Sequence, residues 1–480
     1  MAKNGFPLLD ADTFGEKMDI LSAAVASLRS ERIKANEVMN FKDLHELIAR
    51  GAAPANFLVG GLLDIPVNMK LAEVSKASGL TISFTHGGKA FYNLVREYIE
   101  NKEYTFTKSG NFWLMENKAY SNEELKAYDI NVSGSAEDGA KFIIKADFER
   151  RQHIILGFDH ETVVHPKEVK HSMTLFPLFI YEKFIYNDSQ ASHYFPDGLQ
   201  PGNYSFGIGN YDNDYGGNKT YYFTLQKPIP AGGQLRFGWS WHTQVTANKV
   251  ATYASNKVSE TIESGITISE SGAPESISLG VFENGPINKD FTTSNGVKVW
   301  VNTIERVRYG SNGWDNSWVL QWMNSDKESG WWAPSSEFDR PASWVTTTPG
   351  YLYMLPDELV RYLGECSKLT DKNRICDGGE TISHVLKAWL LSNYELQSPK
   401  STTPGQITYD YFKAIRRTEG DWQTNPELIK RNEAGAPQYW WLRAPYTSNT
   451  NYVRHVYTSG GVHNYDAYST SGVPAAFAII

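Results

Sequence analysis

The spacing of apolar residues predicts two helices at the start of the chain. Thr13 and Glu16 form a capping box that begins the first helix. Apolar residues then recur at heptad spacing, at Phe14, Met18, Leu21, Val25 and Leu28. Two heptads leave two interpretations open, a helix packed on its own domain and an oligomerisation stalk. A second helix is predicted within "NFKDLHELIARG", with Asn40 as its N-cap and Gly51 just beyond its end. Its apolar face is made by Phe41, Leu44 and Ile48.

Farther along the chain, the pattern changes from mixed to strand-like. Residues 70–149 combine a helical stretch, "GKAFYNLVREYIENKEY", with short strands, and they contain no chemical motif. Between residues 194 and 279, Gly, Asn, Asp and Pro turns separate four strand-like segments, "NYSFGI", "KTYYFTLQKPI", "GQLRFGWSW" and "GITISES". This spacing predicts a β-rich, sandwich-like module with both faces covered.

The last part of the chain returns to a mixed pattern. The strand "VKVWVNTI" precedes a compact helix, "WDNSWVLQWMNSD". In that helix, Trp318 with Trp322 and Val319 with Met323 form i,i+4 pairs, so one broad face is buried. Two apolar strands, "YWWLRAP" and "GVPAAFAII", then bracket residues 446–471.

The bracketed stretch uses a narrow alphabet. Of its 26 residues, 19 are Tyr, Ser, Thr, Asn, His or Asp, and none is Lys, Glu, Gln, Leu, Ile, Phe or Pro. A strand of the hydrophobic core has large aliphatic residues at alternate positions, and a solvated helix is rich in Glu, Lys and Ala. Antibody paratopes, in contrast, combine tyrosine with small polar residues. The composition therefore predicts a binding surface.

Within this stretch, "VYTSGGVH" predicts a hairpin turn centred on Ser459 and Gly460. The turn places Val456 opposite Val462 on the buried face. Because side chains alternate along a strand, four residues would then share the outward face as a Tyr/His platform. They are His455, Tyr457, His463 and Tyr465. Val453 falls out of phase with Val456.

Composition and charge narrow the function classes. A chain of 480 residues has room for about three domains. The net charge is −8 and no Lys/Arg cluster occurs, which argues against a nucleic-acid partner. The longest apolar run, around "ANFLVGGLLDIPV", is too short for membrane insertion, and the first residues lack the apolar core of a signal peptide. We therefore expect a soluble protein. Its 14 Trp residues suggest dense packing, sugar-binding platforms, or both.

No sequence pattern supplies a catalytic or metal site. His160, His165 and His171 lie near Asp159 and Glu161, but their spacing fits no standard set of metal ligands, so we expect no metal. Arg340 and Arg443, each beside aromatic and proline residues, are predicted to be buried hydrogen-bonding anchors. For Cys366 and Cys376 we expect two reduced thiols, with a small disulfide that closes a hairpin as the alternative.

The C-terminal pattern resembles the variable region of proteins that are diversified by diversity-generating retroelements. The resemblance is carried by "QYWWLRAPY", by the Tyr/Ser/Asn/His stretch and by "SGVPAAFAII". Upstream, "RVRYGSNGWDNSWVLQWMNSD", "WWAPSSEFDRP", "KTYYFTLQKPIPAGGQLRFGW" and "IARGAAPANFLVGG" resemble the body of phage-encoded tail or receptor-binding members. The resemblance covers the second helix and nearly everything after residue 150, but not residues 61–150.

This resemblance implies a C-type lectin fold for the C-terminal module, and it explains the alphabet. The retroelement mutates template adenines, so Asn codons become codons for Tyr, His, Asp, Ser, Thr, Gly or Ala. The diversified, ligand-binding positions correspond to Tyr446, Asn449, Asn451, Tyr452, His455, Tyr457, Gly461, His463, Asn464, Tyr465, Asp466, Tyr468, Ser469 and Ser471. The scaffold of the site corresponds to Trp440, Trp441, Leu442, Arg443, Val453, Val456, Val462, Val473, Pro474 and Phe477. Many members carry Arg where this chain has Val473, so a salt bridge at that position is not expected.

We therefore expect an α+β, multidomain protein in four parts. Residues 1–40 form an N-terminal helix for attachment or oligomerisation. Residues 41–193 form a mixed α/β region that contains the unrecognised insertion 61–150. A β-rich module spans 194–280. A C-type lectin-like domain spans 281–480 and carries the variable stretch 446–471.

The expected function is non-enzymatic binding of a bacterial surface receptor, either a protein or a glycan. The resemblance implies a phage tail protein for host attachment, located in the virion and synthesised in the bacterial cytoplasm. Expected partners are other virion proteins and further copies of the chain, with a trimer as one candidate. No cofactor is expected. The alternative is a carbohydrate-active enzyme or a sugar-binding module that uses Trp and Tyr platforms.

Overall fold

The computed structural model describes residues 40–186 without interruption. Between residues 187 and 311 it describes Gln200 and the strands given below. It further describes 312–315, 317–332, 347–372, 379–396, 407–413, 425–447 and 452–480. The predicted N-terminal helix and the predicted strand "GITISES" lie outside the described residues.

The α-helices in the described part of the chain are short. They are α1 (Phe41–Ala49), α2 (Ala53–Asn56), α3 (Phe91–Val95), α4 (Asn122–Ala127), α5 (Trp318–Met323), α6 (Tyr351–Met354), α7 (Asp357–Arg361) and α8 (Asp410–Lys413). Single 3₁₀ turns occur at Thr85–Gly88, Tyr394–Leu396 and Pro426–Leu428. None of the described helices is long and apolar enough to span a membrane.

Strands make up most of the described secondary structure. The first group is β1 (Leu62–Lys76), β2 (Leu80–Phe84), β3 (Glu103–Ser109), β4 (Phe112–Met115), β5 (Lys118–Tyr120), β6 (Ile130–Gly134), β7 (Lys141–Phe158), β8 (Val163–His165) and β9 (Met173–Pro177). The second is β10 (Lys183–Ile185), β11 (Ser192–Phe195), β12 (Gly202–Ile208), β13 (Lys219–Leu225), β14 (Gly233–Phe237), β15 (Ala251–Thr252), β16 (Ser276–Leu279), β17 (Ile287–Thr292) and β18 (Lys298–Thr303). The last is β19 (Glu365–Asp371), β20 (Thr381–Leu386), β21 (Ala388–Trp389), β22 (Lys430–Arg431), β23 (Pro437–Gln438), β24 (Trp440–Pro445), β25 (Tyr452–Val456), β26 (Val462–Asp466), β27 (Thr470–Gly472) and β28 (Ala476–Ile479).

The chain forms two compact units. Unit 1 comprises Met1–Leu178, Leu355–Gly364 and Phe477–Ile480, and unit 2 comprises Phe179–Met354 and Glu365–Ala476. Helices together with several sheets, in which strands predominate, make this an α+β protein, as the sequence predicts. The four predicted domain ranges stay predictions.

Unit 1 is organised around β7, a strand of 18 residues. It pairs antiparallel with β1 along nearly its whole length, with β3 through Lys141–Lys145 and with β9 through His153–Phe158. Strands β4 and β5 continue the sheet from β3, and residues 477–479 of β28 pair with β9. The predicted short strands occur as β2 to β6, but the long ribbon of β1 and β7 at the two ends of this region was not predicted.

The region that the resemblance does not cover has its own hydrophobic core. Aromatic rings from neighbouring strands pack there, including Phe106 stacked on Phe142 with centroids 4.6 Å apart and Trp113 edge-on to Phe142 at 4.8 Å. The sequence predicts a helix through "GKAFYNLVREYIENKEY", which is wrong beyond Val95. Arg96 has a left-handed backbone (φ 51°), and Tyr104 instead joins the sheet opposite Ile144. Pairing with β7 outweighs the local helical pattern here.

Helix α1 agrees with its prediction. The side chain of Asn40 accepts a hydrogen bond from the N–H of Asp43 at 2.8 Å, which caps the helix start. The predicted apolar face is buried, at Phe41, Leu44 and Ile48. Gly51 has φ 70° and follows the last turn, where a left-handed residue ends many helices.

Unit 2 confirms most of the predicted strands and the compact tryptophan helix. Strands β12, β13, β14 and β18 coincide with four of the predicted segments, and β12 begins one residue before its segment. Ser317 accepts a hydrogen bond from the N–H of Leu320 and caps α5. The two i,i+4 pairs of α5 are all buried, at Trp318, Val319, Trp322 and Met323.

Candidate functional site

The candidate site lies on a five-stranded sheet of unit 2, in the order β10-β27-β24-β25-β26. Strands β25 and β26 form an antiparallel hairpin in which Val456 is opposite Val462 and His455 is opposite His463. The N–H of Gly460 donates to the carbonyl of Tyr457 at 2.8 Å and closes the turn, and Gly460 has a left-handed φ of 83°. The predicted hairpin and its Val456–Val462 pair are therefore confirmed.

One face of this sheet carries a group of aromatic rings in mutual contact. Because Trp441, His455 and His463 are opposite one another on adjacent strands, their side chains share a face. The same face includes Tyr439, Tyr457 and Tyr465. We call these six residues the aromatic cluster, which comprises Tyr439, Trp441, His455, Tyr457, His463 and Tyr465.

His455 is the central ring of the aromatic cluster. Its imidazole is stacked between Tyr439, at 5.7 Å and 9°, and Tyr465, at 5.3 Å and 8°. Trp441 lies 5.5 Å away, tilted by 33°, and Tyr457 meets the ring edge-on at 4.7 Å. The side chain is consequently only 1% exposed, so His455 lies on the predicted face but, contrary to the prediction, is not exposed there. Stacked tyrosines cover both flat sides of the ring.

Burial determines the chemistry of His455. Both ring nitrogens are buried, and neither has a hydrogen-bond partner among the described residues. Burial, with a smaller contribution from the charge of His463, lowers the pKa of His455 to about 3. The imidazole is therefore neutral at pH 7. It acts here as a packed ring and carries no positive charge.

Two tyrosines are the most exposed members of the aromatic cluster. The side chains of Tyr439 and Tyr465 are each 46% exposed, whereas Tyr457 and His463 are half-buried. The hydroxyl of Tyr457 lies 3.0 Å from Nδ1 of His463, and their rings stack at 4.5 Å. Tyr457, His463 and Tyr465 thus reach the surface together, as the sequence predicts for three of its four platform residues.

The opposite face of the hairpin has a different character. Tyr452, Arg454, Asn464 and Asp466 alternate with the residues of the aromatic cluster along β25 and β26. The guanidinium of Arg454 lies 4.8 Å from the centre of the Tyr446 ring, a cation–π contact. The predicted ligand-binding residues therefore do not form one surface, because the pleat of the hairpin divides them between two faces.

The remaining predicted ligand-binding residues differ in exposure. Half-buried members are Tyr446, Tyr452, Asn464, Asp466, Tyr468 and Ser469. Gly461 and Ser471 are buried. Asn449 and Asn451 lie outside the described residues. Buried positions can be reached by a ligand only if the chain around them moves, so the accessible set is smaller than the predicted one.

The predicted scaffold is buried throughout. Its members Trp440, Trp441, Leu442, Arg443, Val453, Val456, Val462, Val473, Pro474 and Phe477 are all buried. The indole of Trp441 donates to the carbonyl of Phe184 at 3.0 Å, and that of Trp440 to the carbonyl of Leu428 at 3.1 Å. Phe477 belongs to unit 1, where its ring contacts His153. The two indoles anchor β24, which lies beneath the aromatic cluster.

Arg443 fixes β24 more firmly still, and its predicted role as a buried anchor is confirmed. Its guanidinium makes two hydrogen bonds with the carboxylate of Glu395, at 2.7 and 3.1 Å. It also donates to the carbonyls of Leu369 and Leu390, at 3.1 and 2.7 Å. A bidentate pair of this kind holds the arginine in one orientation. Arg340 lies outside the described residues.

Lys368 on β19 completes a buried ion cluster with Glu395 and Arg443. Its ammonium group lies 3.3 Å from the carboxylate of Glu395, and it donates to the hydroxyl of Tyr409 at 3.0 Å. Burial acts to raise the pKa of Glu395, but the charges of Arg443 and Lys368 outweigh this effect and lower the pKa to about 2. Glu395 is therefore ionised at neutral pH, and the cluster links β24 to β19.

Sequence reasoning missed two parts of the site. Tyr439 precedes the predicted variable stretch, and its place two residues before Trp441 was the available signal for a shared face. Glu395 lies 48 residues before Arg443, and nothing in the local pattern links them. Long-range partners of this kind become visible only in the folded chain.

The other sequence candidates are placed as follows. Nδ1 of His171 lies 3.0 Å from the carboxylate of Asp159, and the hydroxyl of Thr174 donates to Glu161 at 2.9 Å. Among the described residues, no group of three or more His, Cys, Asp or Glu side chains could hold a metal ion. Cys366 is buried on β19, and Cys376 lies outside the described residues.

Comparison with known proteins adds one family match. Residues 294–480 match the model of a family described as a domain of unknown function (DUF6273). No curated protein and no solved structure matches the chain. The matched range contains the hairpin, the aromatic cluster and the buried ion cluster, so the candidate site belongs to the matched part of the chain.

Proposed function

We propose that the protein is a non-enzymatic ligand-binding protein that recognises a bacterial surface molecule through the β25–β26 hairpin. The observation that carries the proposal is the aromatic cluster, in which two tyrosines are 46% exposed above a buried, hydrogen-bonded base. Tyrosines held rigidly in this way contribute large contact areas at a low entropic cost. Truncating such a residue in an interface costs about 2 kcal/mol, which is about thirtyfold in affinity.

The wider assignment follows from the sequence resemblance. We infer that the C-terminal module is C-type lectin-like, and that the protein is a retroelement-diversified receptor-binding protein of a phage tail. This proposal is supported by the two apolar strands β24 and β28, which lie before and after the Tyr-rich stretch in the chain. Assembly of several copies, for which a trimer is one candidate, would add avidity to a weak single site.

The test is adsorption to bacterial cells. A variant with Tyr452, Tyr457 and Tyr465 all changed to Ser is expected to keep its fold and to lose adsorption. EDTA is expected to leave the adsorption of the parent protein unchanged, because recognition by tyrosine side chains requires no metal. The measurement is the fraction of protein that sediments with cells, together with a thermal melt of each variant.

A matched control changes three half-buried tyrosines elsewhere in the chain, Tyr128, Tyr394 and Tyr411, to Ser. Adsorption of this control is expected to match the parent. Retention of adsorption by the hairpin variant would move recognition to another part of the chain. Loss of adsorption in EDTA would indicate a metal-dependent site instead.

A further inference from the structure

We propose that the aromatic cluster binds an uncharged saccharide, and that Tyr439, which lies outside the variable stretch, is a fixed contact residue of this site. The proposal rests on the proposed function and specifies the ligand class for one face of the hairpin. Tyr439 and Tyr465 are the two exposed members of the aromatic cluster, one on each side of His455.

The first support is the spacing of the rings. Tyr439 meets Tyr457 edge-on at 5.5 Å, and the contacts of His455 with Tyr439, Tyr457 and Tyr465 span 4.7 to 5.7 Å. Rings at these distances already touch. No cation or side chain can enter between them, as it would in an open aromatic cage. A ligand must therefore lie across the outer surfaces of the tyrosines, which suits the flat apolar side of a sugar ring.

The second support is the charge of this face. The cluster consists of Tyr, Trp and His rings, and its central imidazole is neutral at pH 7. No member of the aromatic cluster is Lys, Arg, Asp or Glu. The tyrosine hydroxyls and the imidazole of His463 provide donors and acceptors at the edges of the rings. Apolar ring faces with polar edges match a neutral saccharide, in which C–H groups form an apolar face and hydroxyl groups lie around the edge of the ring.

The opposite face of the hairpin differs from the aromatic cluster in charge. It carries Arg454 and Asp466 together with the half-buried Tyr452. A ligand chosen for charge would be expected on that face. The matched control for Tyr439 is Phe112 on β4, because its side chain is 48% exposed and that of Tyr439 is 46% exposed.

The experiment measures adsorption of the full-length protein to bacterial cells that bind the parent. Cells are treated either with periodate, which cleaves the vicinal diols of saccharides, or with protease. We expect periodate to abolish adsorption and protease to leave it unchanged. We also expect the apparent Kd to stay constant between about 0.05 and 0.5 M NaCl, because screening weakens only charged contacts.

The variants test the contribution of Tyr439 to binding. Tyr439→Ala is expected to weaken adsorption about thirtyfold, as for a central aromatic contact, and Phe112→Ala, at a similarly exposed ring in unit 1, by less than about threefold. Tyr439→Phe keeps the ring and is expected to restore most of the affinity. Thermal melts establish that each variant is folded. Should Tyr439→Ala unfold the protein, the Phe variant and the cell treatments still decide the matter.

Several results would overturn the proposal. Adsorption that is sensitive to protease and resistant to periodate would show a protein ligand, while leaving receptor binding itself intact. Adsorption that falls steeply with salt would show a charged ligand. Equal affinity of the parent and Tyr439→Ala would remove Tyr439 from the site. Failure of the parent to adsorb to any cells would instead contradict the proposed function, and the saccharide site with it.

Discussion

At the scale of single residues, His455 is the least expected feature of the site. A polar ring is buried with both nitrogens lacking hydrogen bonds among the described residues, which ordinarily costs about 1–3 kcal/mol. Ring contacts with two tyrosines and a tryptophan offset this cost. Protonation of the buried imidazole would therefore destabilise the folded protein.

This burial predicts a specific dependence of stability on pH. The folded pKa of His455, about 3, is below its unfolded value of 6.5, so the unfolded chain binds more protons between these values. The free energy of unfolding should therefore fall as the pH decreases from 6.5 towards 3. Between pH 7 and pH 5 we expect His455 to contribute a loss of about 2 kcal/mol.

Urea unfolding of the parent and of His455→Phe at both pH values checks this prediction. The variant cannot titrate at this position, so its loss over the same interval should be smaller by that amount. Comparison of the two slopes cancels the carboxylates that the proteins share. Parallel pH profiles would show that His455 is protonated in the folded state.

At the scale of elements, the β25–β26 hairpin depends on one turn residue. Gly460 has φ 83°, and a Cβ at this position would lie 1.8 Å from the carbonyl oxygen of Asn425. Gly435 has the same φ of 83°, but a Cβ there would have nothing within 4 Å. Substitution of alanine at each glycine therefore distinguishes the cost of backbone strain from the cost of steric overlap.

We expect Gly460→Ala to destabilise the protein by clearly more than Gly435→Ala. The second change carries only the strain of a left-handed alanine, about 1 kcal/mol. The first must also displace the backbone at Asn425. Chemical denaturation of both variants measures the difference, and similar losses would mean that the turn and Asn425 are not in close contact.

The buried ion cluster of Lys368, Glu395 and Arg443 stabilises the position of strand β24. Glu395→Gln leaves the buried charges of Arg443 and Lys368 without their anion, which should cost about 3–5 kcal/mol. The control is Glu380→Gln, because Glu380 pairs with Lys372 at 3.0 Å but is 62% exposed. Such an exposed pair contributes at most about 1 kcal/mol. Equal effects of the two changes in thermal melts would contradict a stabilising role for the cluster.

At the scale of the whole molecule, the N-terminal heptad pattern bears on how copies of the chain associate. The heptad spacing from Phe14 to Leu28 predicts an oligomerisation or attachment helix, and these residues lie outside the described part of the chain. We expect a chain that starts at residue 36 to form a smaller oligomer than the full chain. Analytical ultracentrifugation of both decides this, and an unchanged oligomeric state would show that the helix packs on its own domain.

The sequence by itself determined the features that depend on neighbours along the chain. The cap of α1 by Asn40, the buried pairs of α5 and the Val456–Val462 hairpin all follow from spacings of a few residues. Local hydrogen bonds and side-chain alternation specify such features without reference to distant segments. Composition, in the narrow alphabet of residues 446–471, was enough to locate the candidate site.

The tertiary structure decided the rest, because burial and pairing depend on which distant segments meet. Only the folded chain brings Glu395 to Arg443, covers His455 with Tyr439 and Tyr465, and pairs the final strand β28 with β9. It also divided the predicted surface between the face of the aromatic cluster and the face that carries Arg454 and Asp466. Strand alternation predicts that two faces exist, but which face gains neighbours is settled by packing against strands far away in the sequence.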